Sequence, residues 1–292
     1  MTRRPNSLAV SCRQPSDAMG LPDRSAPVVA SHIRHGSRRD LRRVLPEETA
    51  VALVYDGTSH AVMMATPADL DDFAVGFSLS EGVIDDPSQI ESRQVMPHRQ
   101  GVEVQMWLTR SRGDVLAARR RSMAGPVGCG LCGIDSLEQA MRDMPDLSHV
   151  GPVFSVDQVA SATGQLQEWQ PLHDSTRAVH AAGFLHPEKG ILLAREDVGR
   201  HNALDKLIGA MARQGLDPAG GAIVLTSRVS VEMVQKCAMA GCAMLIAVSG
   251  PTLTALRVAD RSGITVAAFA RGEGFDLFTH SRRLNSEVPD VA

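Results

Sequence analysis

Aromatic side chains are scarce: one tyrosine, two tryptophans and seven phenylalanines make up 3% of 292 residues. That is too few for a platform that stacks successive bases of a single-stranded nucleic acid. Cysteine is sparse and odd in number, at five, which fits a reducing cytoplasm better than a disulfide framework. No apolar run reaches the roughly eighteen residues of a membrane-spanning helix. The start, Met1-Thr2-Arg3-Arg4-Pro5, is basic, but no apolar stretch follows it, so no secretory signal is expected. A net charge of −3 excludes a polycation. There is no G-x-G-x-x-G after a strand and no Walker A sequence, which disfavours a standard dinucleotide or P-loop site.

What is present suits a globular protein with a sizeable core: 43% hydrophobic and 22% charged residues. Residues 1–45 are rich in Arg, Ser and Pro, with Arg34, Arg38, Arg39, Arg42 and Arg43 clustered near the end; they are expected to form a disordered basic tail. Residues 46–150 are expected to form a β-hairpin and helix subdomain. The hairpin runs from Thr49 to Ala65 around Asp56-Gly57, and Thr66 and Pro67 are expected to open a helix that stops at Gly82. Residues 151–284 alternate strands and helices with short glycine-containing links: strands near Ile191, Ala222, Ala243 and Ile264, and helices from Ser155, around Leu204 to Met211, from Val231 and from Thr252. That order predicts an α/β layer structure, with residues 285–292 as a short tail.

The chemistry is expected in Gly125-Pro126-Val127-Gly128-Cys129-Gly130-Leu131-Cys132-Gly133. Glycine beside each cysteine reads as a loop, and Asp135 to Met141 behind it has helical spacing with an acidic first turn. A cysteine ahead of a helix feels its positive end, and such settings lower a thiol pKa from about 8.5 to between roughly 3.5 and 7.5. A redox or sulfur-handling pair, half of a zinc site and a plain structural turn all fit the spacing. The other close pair, Cys237 and Cys242, lies in an apolar helical stretch and suits core packing.

In α/β sheets, ligands gather beyond the carboxyl ends of strands. Polar residues concentrate at those junctions: Arg195 to Asn202, with Asp197, Arg200 and His201; Thr226-Ser227-Arg228; Ser249-Gly250-Pro251-Thr252; and Arg271-Gly272-Glu273-Gly274. Helix N-termini and arginines both bind phosphate, so four such junctions point to a sizeable anionic, nucleotide-like ligand. His201 and Asp205 lie one helical turn apart and are expected to pair. His180, inside an apolar strand, reads as a core residue.

Several stretches together resemble the formate dehydrogenase accessory sulfurtransferase family, FdhD. They are Gly128-Cys129-Gly130-Leu131-Cys132-Gly133; Glu196 through Lys206; Thr226-Ser227-Arg228 with Glu232-Met233-Val234; Ser249 to Thr252; and Phe278-Thr279-His280. Met64 to Pro67 and the residues from Gly76 to Gly82 match as well, so the resemblance covers roughly residues 48 to 284. It implies a cytoplasmic sulfurtransferase that takes sulfur from a cysteine desulfurase. The sulfur passes through a cysteine persulfide to the molybdenum bis(molybdopterin guanine dinucleotide) cofactor of formate dehydrogenase, bound as a substrate. It implies a layered core like that of cytidine deaminases, with no resident metal. By this resemblance Cys129 carries the persulfide, Cys132 assists, and Phe269, Ala270, Arg271, Gly272, Glu273 and Gly274 contact the cofactor. A homodimer is the assembly expected for a domain of this size. A zinc deaminase would need H-x-E and P-C-x-x-C, and neither His180 nor His201 is followed by that glutamate. A delivery chaperone that binds the cofactor without handling sulfur is the other alternative. One departure stands out: the family usually has Thr-Gly-Gly where this chain has Asp174-Ser175-Thr176-Arg177, ahead of Val179-His180.

Overall fold

A computed structural model describes residues 20–122, 144–272 and 274–285. The first elements correct the expected tail. Ser25–Arg34 (β1) and Ser37–Pro46 (β2) pair antiparallel as a ribbon separate from the other sheets. His35 and Gly36 make the turn, both at positive φ, the geometry that matches strand twist in a tight hairpin. The arginines that suggested a solvated coil project from β2, opposite β-branched Val28, Val29 and Ile33. Residues 1–19 lie outside the described part.

Thr49–Tyr55 (β3) and Thr58–Ala65 (β4) form the expected hairpin, with Asp56 and Gly57 at positive φ in its turn. Ile90–His98 (β5) and Gly101–Leu108 (β6) complete a four-stranded sheet in the order β4-β3-β6-β5. Helix α1, Leu70–Ser80, covers it with Leu70, Phe73, Ala74 and Phe77. Thr66 and Pro67 do not start this helix. Its N-cap is Asp69 in the left-handed region, and Thr66 is fully buried with other duties, described below. Gly82, at positive φ, ends it as expected. Arg110–Ser122 (α2) is the last described element before the Cys129-Cys132 stretch in the chain.

The second half is a six-stranded sheet in the order β13-β12-β11-β10-β8-β9. The strands are His180–His186 (β8), Gly190–Asp197 (β9), Ala222–Leu225 (β10), Met244–Ala247 (β11), Thr265–Arg271 (β12) and Gly274–Thr279 (β13). The three central strands β10, β11 and β12 are parallel, and the outer ones are antiparallel. Phe154–Ser155 (β7) and Leu284–Asn285 (β14) make a separate small parallel pair.

Alternation of side chains divides the sheet's two faces. Ile223, Leu225, Leu245, Ala247 and Val266 pack with Arg200–Gln214 (α5), Val231–Met239 (α6) and Leu253–Arg261 (α7). Ala222, Val224, Met244, Ile246 and Ala267 pack with Val156–Gln167 (α3). A sheet covered on both faces explains why these strands are unbroken apolar runs. Ser155 and Gln158 form a full capping box at α3, and Gly215 closes α5 in the left-handed region. A short helix, Pro171–Thr176 (α4), precedes β8 and ends at Arg177 with φ of 56°.

Helices α1 and α5 cross where Gly76 meets Gly209, joining the two halves. Beside the crossing lie buried ion pairs. Lys206 Nζ is 2.6 Å from Asp197, both with fully buried side chains. Thr66 closes this group: its N–H donates to Asp197, its carbonyl accepts from Lys206, and its hydroxyl oxygen accepts from Val198 N–H. Lys236 donates to Asp205, Glu81 and the Ser80 hydroxyl.

Candidate functional site

Register places the polar junctions together. Asp197 at the end of β9 is level with His180 at the start of β8, and Leu225 is level with Ala182 and Ala247. The residues following β9, β10 and β11 therefore emerge at one edge of the sheet. Thr226 Oγ1 accepts from Ala181 N–H at 2.9 Å, and Val229 N–H donates to the Gly250 carbonyl at 3.2 Å, fastening neighbouring loops. The end of β12 joins them: Arg271 Nε donates to the Val248 carbonyl at 3.2 Å, and the Phe269 ring lies over Gly250, where a Cβ would come within 2.5 Å of it. Phe269 is a phenylalanine at φ 53°, beside a register shift in β12, with half of its surface exposed. A bulky residue in that region is strained, and here the strain holds an aromatic face outward.

Three expected contacts are corrected. Asp197 does not face a ligand: it is fully buried, paired with Lys206, and accepts from Gly199 N–H and Asn202 Nδ2–H besides Thr66. Ala270 points the other way, into the core beneath α3, while its carbonyl accepts from Thr163. His201 does not pair with Asp205. Asp205 belongs to Lys236 and Ser80, whereas the nearest acid to His201 is Glu232 at 3.9 Å. An i, i+4 spacing permits contact, but Asp205 turns towards α1 and a buried ammonium that needs it more. Ser227 is buried and its hydroxyl donates to its own loop, at the Arg228 carbonyl.

The remaining predicted residues that are described stand along the edge. Arg228, Arg271, Gly272 and Gly274 are exposed, and Ser249 is half-buried. Arg200 and His201 begin α5, whose N-cap Gly199 offers no side-chain cap. Arg200 Nε, His201 Nε2 and Asn202 Oδ1 are buried with no hydrogen-bond partner among the described residues. Buried polar atoms are nearly always satisfied, so these three atoms at one helix start are places where water or a ligand group would supply the missing partner. Burial pushes the His201 imidazole down to about 4, with repulsion from Arg200 and Lys236 adding to it, so the ring is neutral at physiological pH. His180, read from the sequence as a core residue, is not fully enclosed. It is half-buried at the site edge, its pKa lowered by burial and then by Arg200. Its place at the first residue of a strand was the available signal.

Arg195 and Glu196, from the same junction, turn away into a separate cleft of about 130 Å³ lined also by Arg24, Thr66, Asp69 and Trp169. There Glu196 accepts from Leu172 and His173 N–H and so caps α4.

Cys129, Cys132 and Glu273 lie outside the described residues. Cys237 and Cys242 are fully buried, as expected of core cysteines. Burial raises both thiols, Cys242 to about 11, so neither is a nucleophile at neutral pH. Among the described residues no helix is long and apolar enough to cross a membrane.

The sequence matches the FdhD/NarQ family over residues 46–285. The chain belongs to that family. It is 52% identical to the Sulfur carrier protein FdhD of Agrobacterium fabrum, over 88% of this chain and 95% of that one. It is 45% identical to the protein of the same name from Bordetella petrii, over 82% and 85% of the two chains. A crystal structure of a putative formate dehydrogenase accessory protein from Desulfotalea psychrophila shares the fold, with a TM-score of 0.71 at 24% identity, covering 90% of this chain and all of that one. The FdhD/NarQ match begins at Pro46, the last residue of β2, so the rest of the β1–β2 ribbon precedes it.

Proposed function

We propose that this FdhD/NarQ member is a sulfurtransferase of the cytoplasm. It accepts sulfur from a cysteine desulfurase as a persulfide on Cys129, assisted by Cys132. It delivers that sulfur to the molybdenum bis(molybdopterin guanine dinucleotide) cofactor destined for formate dehydrogenase. Its relatives, a sulfur carrier protein and a formate dehydrogenase accessory protein, support a sulfur carrier role tied to that enzyme. The observation that carries the cofactor part is the strand-end edge, where orphaned polar atoms of Arg200, His201 and Asn202 accompany an exposed Phe269 face and the exposed Arg228 and Arg271. Arginines and a free helix N-terminus suit phosphates, and an aromatic face suits a heterocycle. The deaminase-like layering implied by the resemblance is part of the same proposal, since it places the ligand at this edge.

In this reading the terminal sulfur of the Cys129 persulfide leaves for the bound cofactor, and the cysteine returns as thiolate. Mass spectrometry after incubation with a desulfurase and cysteine tests it. The Cys129 peptide should gain one sulfur atom and Cys129→Ala should gain none there; an unmodified wild-type loop refutes the transfer. Complementation of a strain lacking this factor separates the second reading, a delivery chaperone, which the same edge supports. Rescue of formate dehydrogenase by the double variant Cys129→Ala, Cys132→Ala would favour the chaperone.

A further inference from the structure

The β1–β2 ribbon is a sheet of its own, ten residues to a strand and so about 30 Å long. Its root is closed by Glu47 N–H, which donates to the Arg24 carbonyl at 2.9 Å, and β2 packs against α4. Register sets Val29 level with Arg42 and Ile33 level with Arg38, and alternation puts all four on one face. Val29 is 63% exposed and Ile33 73%, and both arginines are exposed beside them. Between the two pairs, Ser31 Oγ donates to Asp40 at 2.9 Å and accepts from Arg38 Nε at 3.0 Å, which holds that guanidinium in place. Arg39 and Arg43 stand exposed on the opposite face.

Residues 25–46 hold five arginines and one aspartate, in a chain whose net charge is −3, so the rest of the chain is acidic. An isolated two-stranded ribbon is marginally stable in water, and this one leaves two β-branched side chains bare. Three kinds of occupant could cover them. Nucleic acid would take the arginines, but its phosphates give Val29 and Ile33 nothing to pack on, and the acidic remainder of the chain repels it. A second copy fits poorly, because homodimer interfaces are more apolar and poor in charge, and ribbon laid on ribbon sets arginine against arginine. A protein whose carboxylates ring a small apolar seat matches both parts of the face, and opposite charge speeds its docking. Arg24, at the root, lines the cleft with Arg195 and Glu196 of the first strand-end junction. A protein held by the ribbon therefore stands beside the edge from which a cofactor would be handed on.

We propose that the β1–β2 ribbon is a docking arm for an acidic surface on the enzyme that receives the cofactor. Arg38 and Arg42 meet its carboxylates, and Val29 and Ile33 fill the apolar seat between them. The identity of the recipient rests on the transfer reading above; the arm itself is carried by the ribbon's own face.

Interferometry of the full-length protein on purified, cofactor-free formate dehydrogenase from the same organism tests it. Binding should weaken from 50 to 300 mM salt, as an electrostatic contact does. The double variants Arg38→Glu, Arg42→Glu and Val29→Ser, Ile33→Ser should each bind roughly tenfold more weakly or worse. Arg99→Glu, in the exposed β5–β6 turn, should bind like the wild type. Ribbon variants that bind the enzyme as well as the wild type, or a wild type that does not bind it, overturn the arm. So does a fall in oligomeric state of the ribbon variants by sedimentation velocity, which would assign the ribbon to a second copy. Ribbon-dependent binding of a 20-base-pair DNA duplex without binding of the enzyme would assign it to nucleic acid and likewise overturn the proposal. Sulfur loading of Cys129 by the desulfurase is measured on the same proteins and should be unchanged in the ribbon variants. Loading without docking removes the arm and leaves the transfer reading intact; docking without loading keeps the arm and removes the transfer.

Discussion

Gly76 of α1 and Gly209 of α5 lie against each other's helix backbone. A Cβ on Gly76 would stand 1.7 Å from the Asp205 carbonyl oxygen, and one on Gly209 would stand 1.8 Å from that of Asp72. A mid-helix glycine costs about 1 kcal/mol relative to alanine, and this close approach is the reason both are there. Gly209→Ala should therefore destabilise the fold despite better helix propensity, by about 3 kcal/mol or more as the helices separate. Urea denaturation reads the change, and an unshifted midpoint would show that the crossing is looser than described.

Lys206 and Asp197, both in the second half, form a buried pair that Thr66 of the first half completes. Lys206→Met leaves a buried carboxylate without its cation and should cost about 3–5 kcal/mol. Adding Asp197→Asn removes the stranded charge and should recover part of that loss. A thermal melt of the single and double variants decides it: a double variant no better than the single would mean that the charge is not what matters.

Stability should depend on pH through His201. The folded chain protonates this ring only near pH 4, whereas an unfolded histidine takes up its proton near pH 6.5. Its contribution is thus complete above about pH 6.5 and is lost as pH falls towards 4, by about 3 kcal/mol across that window. Asp205, pushed up to about 6 chiefly by burial, acts in the opposite sense below pH 6 because its folded state holds the proton more firmly. The informative quantity is therefore the difference between wild type and His201→Gln. That difference should narrow between pH 6.5 and pH 4, and a constant gap would contradict the buried, neutral ring.

Arg177 occupies the left-handed region at the end of α4, in the stretch where the family resemblance leads one to expect glycines. The turn geometry survives at the cost of strain in a residue with a Cβ. Arg177→Gly should raise stability by about 1 kcal/mol, since the ion pair it gives up, to Asp174 at 3.6 Å, is on the surface. A lowered melting temperature would mean that Arg177 makes a contribution its contacts do not reveal.

Much of the second half was legible because its strands are continuous apolar runs and its helices carry strong stops. Ser155, Thr252, Gly215 and Gly263 act at the ends where their chemistry pointed. The β1–β2 ribbon was hidden because arginine dominates β2, and cross-strand partners cannot be seen in composition. Strand β13 alternates exposed and half-buried residues over only six positions, too short and too polar to stand out. At the site, the junctions were legible as a group, but the direction of each side chain was not. Asp197 and Ala270 sit at the right places in the chain and face inward. Glu232 was visible in the sequence, yet its relation to His201 depends on two helices starting side by side.

Thr66 gives its N–H to Asp197, its carbonyl to Lys206 and its hydroxyl oxygen to Val198. One threonine from the first half thus completes the polar interior of the second. A gene fragment beginning after α1 would encode every strand of the six-stranded sheet but none of these three bonding partners. Its ammonium and carboxylate would keep each other, and Asp197 would keep Gly199 and Asn202, but the bonds to Thr66 would be gone and the groove left by α1 open to water. The two halves are therefore best expressed together, and tags or cleavage sites belong at the ends of the chain rather than between them.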